Sequence, residues 1–221
     1  VRQQVQALLD GIGGVSDIIG SGDRVGIKIN LTGGVYYKPP NGVPAIESHL
    51  THPEVVRALG ELLRDAGARE LFIVEAVYDT ESYAVFGYEE VAQAIGATLI
   101  DLNTPFPYDD FASVPVGEGW FIHQDYTFNH ILEEIDAFVS VSKMKCHYNC
   151  GVTHSMKNLI GLVPATSYRL SQDHWWRSAF HAASPMGYES DPPKRLPRVI
   201  LDLNRARPID LALVDGIKSG E

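Results

Sequence analysis

The chain lacks most devices that would announce a function. It has two cysteines, Cys146 and Cys150, in 221 residues, too few for a disulfide framework. No run of about 18 apolar residues occurs, so a hydrophobic membrane-spanning helix is excluded within these residues. Cations are scarce: 18 Lys and Arg face 28 Asp and Glu, a formal charge of −10. Nonspecific nucleic-acid binding needs a basic surface, so nucleic acid is not an expected partner. There is no Gly-x-Gly-x-x-Gly after the first strand pattern, no P-loop and no Gly-x-Ser-x-Gly elbow. The usual marks of dinucleotide, nucleoside triphosphate and α/β-hydrolase chemistry are therefore missing. Neither an internal repeat nor a low-complexity tract appears. No initiator Met or signal-like start precedes the first helical pattern. A cytoplasmic location is favoured, with export after removal of a leader as the alternative, and the chain is expected to be incomplete at one or both ends.

What is present is an alternation of strand and helix patterns. Val5, Leu8, Leu9 and Ile12 space a first helix closed by Gly11, Gly13 and Gly14. Strands are expected from Arg24 to Leu31, Glu70 to Ala76, Ala97 to Leu102, Ala137 to Ser142 and Ile209 to Val214. Thr51-His52-Pro53-Glu54 reads as a capping box before a helix faced by Val55, Leu59, Leu62 and Leu63 and stopped at Gly67. Further helices are expected over Tyr88–Ile95, Thr127–Glu134, Thr153–Ile160 and Pro197–Arg205, the last with Pro197 in its first turn. Phe111 to Ile122 suggests a hairpin around Gly117-Glu118-Gly119. The alternation implies one α/β domain over residues 1–221, with a mainly parallel sheet and helices on both faces in a Rossmann-like three-layer architecture.

In such sheets ligands gather beyond the carboxyl ends of the strands. That rule selects Lys28, Asn30, Thr32, Glu75, Asp79, Asp101, Lys143, Lys145, His147 and Asp215. Lys28 is unusual, because central parallel strands are apolar on both faces. Its ammonium must reach a carboxylate, a ligand or solvent.

The segment from Lys143 to Asn158 is densest in chemistry. Three lysines (143, 145 and 157) precede or enter an expected helix with Thr153 as N-cap, which together suit an anion. His147 is the candidate acid or base, and Lys143 or Lys145 with lowered pKa could assist. The bland alternative is a solvated cationic turn paired with Glu75 and Asp101. Cys146, His147, Cys150 and His154 are weak candidates for a transition metal, since their spacing is loose and the neighbouring lysines repel cations. Residues 31–50, rich in Gly and Pro, form a long loop in which Tyr36, Tyr37 and Lys38 could close over a ligand. From Tyr168 to Tyr188, Arg169 and His174 are candidate ligand contacts. Trp175 and Trp176 are better explained as a packed excursion or a contact between copies of the chain.

The order of motifs resembles the bacterial and archaeal family called domain of unknown function 362. The residues concerned are Gly22 to Asn30, His52-Pro53-Glu54-Val55-Val56, Lys143-Met-Lys145-Cys146-His147, Val152 to Pro164 and Val214-Asp215-Gly216. The resemblance implies a shared site at Lys28, Asn30, Lys143, Lys145, His147, Thr153, Lys157 and Asn158, with Arg169 and His174 as additions. It also implies a ferredoxin-like electron carrier as a partner, because members are joined to such modules. It implies no reaction. An iron–sulfur cluster within these residues is not expected, since only Cys146 and Cys150 are available.

Three readings remain at this point. The chain is an enzyme acting on a carboxylate or phosphate compound, with His147, Lys145 and Lys143 catalytic. Lys28, Asn30, Glu75, Thr153, Lys157, Asn158, Arg169 and His174 would then bind the ligand. Alternatively it is a carrier that docks a cofactor or metal, or a metal enzyme using its His and Cys donors.

Overall fold

The computed structural model describes residues 1–39, 42–147, 149–174, 176–182 and 192–220. Pro40, Tyr148, Trp175 and Tyr188 lie outside the described residues. In chain order the elements are α1 (Arg2–Gly11), β1 (Arg24–Lys28), α2 (Ala45–Ser48), α3 (Pro53–Asp65), β2 (Glu70–Glu75), α4 (Glu81–Val85) and α5 (Tyr88–Ile95). Then come β3 (Ala97–Asp101), β4 (Phe111–Pro115), β5 (Asp125–Asn129), α6 (Ile131–Glu134), β6 (Ala137–His147), β7 (Gly151–Thr153), α7 (Ser155–Asn158), α8 (Pro192–Ala206) and β8 (Leu211–Gly220).

β1 alternates as its sequence requires. Val25 and Ile27 bury on one face, while Gly26 and Lys28 bury on the other. It pairs in parallel with β2 and β6, and β2 pairs in parallel with β3. β6 continues past the end of β1. On one side it takes β8 in parallel, and its last residues take the antiparallel β7. The chain therefore winds from β1 out to β3, then returns to β6 and β8 on the other side of β1. The winding reverses between β1 and β6, where a crevice opens at the carboxyl ends.

Helices cover both faces. Val55, Leu59, Leu62 and Leu63 of α3 join Val5 and Leu9 of α1, Val91 and Ile95 of α5, and Ile27 and Val139 of the sheet. Full burial of such side chains contributes about 1.5–3 kcal/mol each relative to exposure. The opposite face packs Phe72, Val74 and Phe138 against Leu159, Leu162, Val199 and Leu203. Among the described residues no helix is long and apolar enough to cross a membrane.

Several boundaries depart from the sequence pattern. β6 runs to His147, so Lys143, Lys145 and His147 lie on a strand and not beyond one. The hairpin is real but its second arm is Asp125–Asn129. Thr127 therefore belongs to a strand, and α6 starts only at Ile131. The expected helix from Thr153 to Ile160 is the end of β7, four residues of α-helix and a 3-10 turn over Leu159–Leu162. Thr153 is consequently not its N-cap. α8 begins at Pro192, which puts Pro197 inside it. His52, not Thr51, caps α3, with its Nδ1 accepting the Glu54 N–H at 3.3 Å.

Candidate functional site

The crevice between β1 and β6 holds a cavity of about 200 Å³. β1 and the residues after it supply Lys28, Asn30 and Thr32, and β2 and its exit supply Glu75 and Tyr78. His147 and Thr153 come from the facing ends of β6 and β7. α7 and its following turn add Lys157, Asn158 and Gly161, and the segment after residue 175 adds Trp176, Arg177 and His181.

Lys28 is fully buried and forms an ion pair with Glu75 Oε1 at 2.9 Å. Its ammonium also donates to Ile29 O at 2.6 Å and to Asn158 Oδ1 at 3.4 Å. The other carboxylate oxygen of Glu75 accepts the Leu31 N–H at 3.0 Å. Asn158 donates back to Lys28 O and Ser140 Oγ, both at 3.2 Å, which ties β1, β6 and α7 together. Burial pushes the Lys28 pKa down while the Glu75 carboxylate opposes it. Gly161 is needed here: an added Cβ would overlap Glu75 Oε1 and lie 2.8 Å from Lys28 Nζ.

The other wall is not self-satisfied. Thr153 Oγ1 and Asn30 Oδ1 are buried without a hydrogen-bond partner among the described residues. Each is a group whose desolvation is ordinarily offset by a partner. Lys157 is half-buried and finds neither a hydrogen bond nor an ion pair among the described residues. Burial lowers its pKa to about 8, and the Lys28 ammonium adds to the effect. Arg177 is buried, donating to Val163 O at 2.7 Å and Ala76 O at 3.3 Å, with no carboxylate at ion-pair distance among the described residues. His147 Nδ1 accepts the Asn149 N–H at 3.2 Å, which leaves the ring proton on Nε2. Burial, then the Lys157 ammonium and His181, hold His147 neutral with a pKa of about 3. His181 stands 6.2 Å away, ring to ring, and is held at about 4 by burial and Lys157.

The structure thus brings together Lys28, Asn30, Thr32, Glu75, His147, Thr153, Lys157 and Asn158. Lys145 stands beside the cavity, opposite Thr153 on the ladder, and its ammonium donates to His49 O at 2.7 Å. Burial and the Lys157 ammonium push its pKa well down. Lys143 does not reach the cavity. Its ammonium is buried against Asp215 Oδ2 at 3.0 Å, and that oxygen also accepts the His52 N–H. Arg169 is exposed and donates to Gln172 O at 3.4 Å. His174 bonds Ser178 Oγ at 2.6 Å and lies 5.8 Å, ring to ring, from Trp176 of the cavity wall, without itself lining the cavity. Asp79 accepts from Val35 N, in the loop after β1, and from Ser82 at the start of α4, while Asp101 accepts from Asn103 in its own turn. Tyr36 is exposed, and Tyr37 stacks on His49 at 4.3 Å. Neither tyrosine lines the cavity.

Tyr78, Arg177 and His181 escaped the reading of the sequence. Arg177 and His181 lay in a stretch dominated by aromatic residues, and one signal was available: a lone Arg amid apolar neighbours must find acceptors. The metal candidates are not gathered. Cys146 is exposed and alternates away from Lys145 and His147. Cys150 and His154 border a separate shallow pocket behind Lys157. Among the described residues no three His, Cys, Asp or Glu side chains are placed to hold a metal ion.

Known proteins add the following. The chain is 24% identical to a thylakoid-associated protein of Synechocystis sp. over 98% of its own length, and it spans 59% of that relative. A crystal structure of a protein from Thermotoga maritima overlaps 93% of this chain and 47% of its own, with a TM-score of 0.49 and 16% identity. The model of the domain of unknown function DUF362 matches residues 25–221. With nearly the whole length so matched, the chain belongs to the DUF362 family.

Proposed function

We propose that the cavity binds a small organic anion and that His147 moves a proton on it, which makes the chain an enzyme acting on a carboxylate or phosphate compound. The observation that carries this reading is a mismatch. Lys28, Lys157 and Arg177 line a cavity in which Glu75 is the one acidic side chain among the described residues, and Glu75 is already committed to Lys28. A bound anion supplies the missing charge. It also supplies an acceptor for the Oγ1 of Thr153, a buried residue whose hydroxyl has no partner among the described residues. The cavity is smaller than the about 300–1,000 Å³ of drug-sized ligand sites, which favours a compact anion over a nucleotide. A neutral imidazole with its proton on Nε2 donates a hydrogen bond to such a ligand, and it takes up a proton at Nε2 once its own proton has moved to Nδ1.

Anions that bind only the folded state raise its stability, by about 2.7 kcal/mol at a hundred times Kd. Thermal unfolding is to be followed with acetate, oxalate or inorganic phosphate added at constant ionic strength. At least one of them is expected to raise the midpoint of the wild-type protein. Thr153→Val, which removes the donor while keeping the shape, is expected to abolish the rise. A wild-type midpoint indifferent to all three, or a rise equal in the variant, counts against the reading.

A further inference from the structure

We propose that Lys157 is a nucleophilic amine that condenses with the carbonyl carbon of a small oxo-monocarboxylic acid held in the cavity. This deepens the anion-site reading and rests on it.

Three lysines surround the site, and their contacts decide which one is available. Lys28 Nζ is occupied by Glu75, Ile29 O and Asn158. Lys145 Nζ is turned to His49 O and does not line the cavity. Lys157 alone of the three lines the cavity without a partner among the described residues. The chemistry of amines requires the free base, and desolvation beside another cation is how proteins supply it near neutral pH. Lys157 has both features, with burial as the larger cause.

Charge balance names the ligand class. The Lys28–Glu75 pair is neutral as a unit; Lys157 is mainly an ammonium in the resting cavity at neutral pH and gives up its proton to react, when Arg177 is the remaining cation. One carboxylate balances it, hence a monoacid. Thr153 Oγ1, without a partner among the described residues, can donate to the carboxylate or to the carbonyl oxygen.

The step balances as a condensation. The Lys157 nitrogen lone pair forms a bond to the carbonyl carbon, and the C=O π pair moves to oxygen. That oxygen takes a proton while the nitrogen releases one, giving a carbinolamine. The carbinolamine hydroxyl then leaves as water, taking a proton from solvent while His147 Nε2–H hydrogen-bonds the departing oxygen; the nitrogen lone pair forms the C=N bond and the nitrogen's remaining proton returns to solvent. Amine and oxo acid have become imine and water, with no redox change and no further reactant.

The test is reductive trapping on the intact protein with pyruvate and sodium cyanoborohydride at neutral pH, mapped by peptide mass spectrometry. With its pKa lowered to about 8, Lys157 is expected to be alkylated about tenfold or more faster than the exposed Lys218. The rate is expected to climb with pH up to about 8 and then level off. Lys157→Arg keeps the charge and should lose the label while pyruvate binding by calorimetry stays within a fewfold. Labelling at Lys157 no faster than at Lys218, or concentrated on Lys28 or Lys145, overturns the proposal. Two failures are distinguishable. If pyruvate binds one to one, weakens in Thr153→Val and leaves Lys157 unlabelled, the amine proposal alone falls. If pyruvate neither binds nor labels, and acetate, oxalate and phosphate leave the unfolding midpoint unmoved, the anion reading falls with it.

Discussion

Lys28 and Lys157 share a cavity and solve burial differently. Lys28 meets a carboxylate and two further acceptors, whereas Lys157 meets none among the described residues. Removing one partner of a buried ion pair leaves the other uncompensated, at a cost of about 3–5 kcal/mol. Lys28→Met is expected to lose that much in urea unfolding. Adding Glu75→Gln, which keeps an acceptor for the Leu31 N–H, is expected to recover about 2 kcal/mol. An additive double variant would mean that the pair is not coupled. The imidazoles give a pH dependence. His49, His147 and His181 are held at about 3, about 3 and about 4, by burial first and by lysine ammoniums second. Each is lowered from 6.5, so between pH 6.5 and 4 the unfolded chain binds more protons than the folded one. Stability from these groups is therefore complete above pH 6.5 and drains away as pH falls toward 4. The slope is at most about 1.4 kcal/mol per pH unit for each ring, trimmed because the rings are half-buried. His181→Asn is expected to flatten the acid limb of a plot of unfolding free energy against pH, and an unchanged limb contradicts the assignment. At this scale Lys28 was legible, because a Lys between Ile27 and Ile29 on a parallel strand demands a partner. Its actual partner, Glu75, was legible only as a strand-end acid. Arg177 and His181 were not, since no periodicity places their segment over the crevice.

Thr51 shows how elements are fastened together around the site. Its hydroxyl accepts from Asn30 N at 3.1 Å and donates to Val141 O at 2.8 Å, joining the exit of β1 to β6 just before α3 begins. Thr51→Val keeps the volume and leaves an N–H and a C=O buried without partners. The expected loss is about 2–4 kcal/mol in denaturant, from the usual cost of orphaned polar groups. A loss under about 1 kcal/mol would show that the stitch is replaceable. The capping-box pattern had pointed at Thr51 for the wrong partner, because the motif cannot show that a strand lies within reach of the hydroxyl. β6 teaches the same lesson. Its polar half, Ser140 to His147, reads as the end of a strand by hydropathy. Yet Lys143, Lys145 and His147 recur at period two, and that period was the available signal. Tertiary partners decide the matter: Asp215 receives Lys143, and β7 and β8 flank the extension. The parallel core over β1, β2, β3 and β6 was legible because its apolar runs are short and punctuated. The second arm of the β4–β5 hairpin was not, since Gly117-Glu118-Gly119 marks the turn region but not where pairing resumes.

For the molecule as a whole, a charge of −10 surrounds a crevice lined by cations. The excess acid lies elsewhere, and the reversal of winding between β1 and β6 gathers residues 28, 75, 147, 153, 157 and 177 from distant parts of the chain. The fold class followed from the alternation of elements, but the site's sign and size depended on this convergence. Calorimetric titration of oxalate into the wild-type protein, Lys157→Met and the exposed-surface control Lys218→Met tests that convergence most directly. One-to-one binding is expected for the wild type and the control, weakened about 10–100-fold in Lys157→Met, as the loss of one charge-assisted contact of about 1.5–3 kcal/mol implies. No saturable binding, or equal affinity in all three proteins, would contradict a cationic anion site at the strand ends.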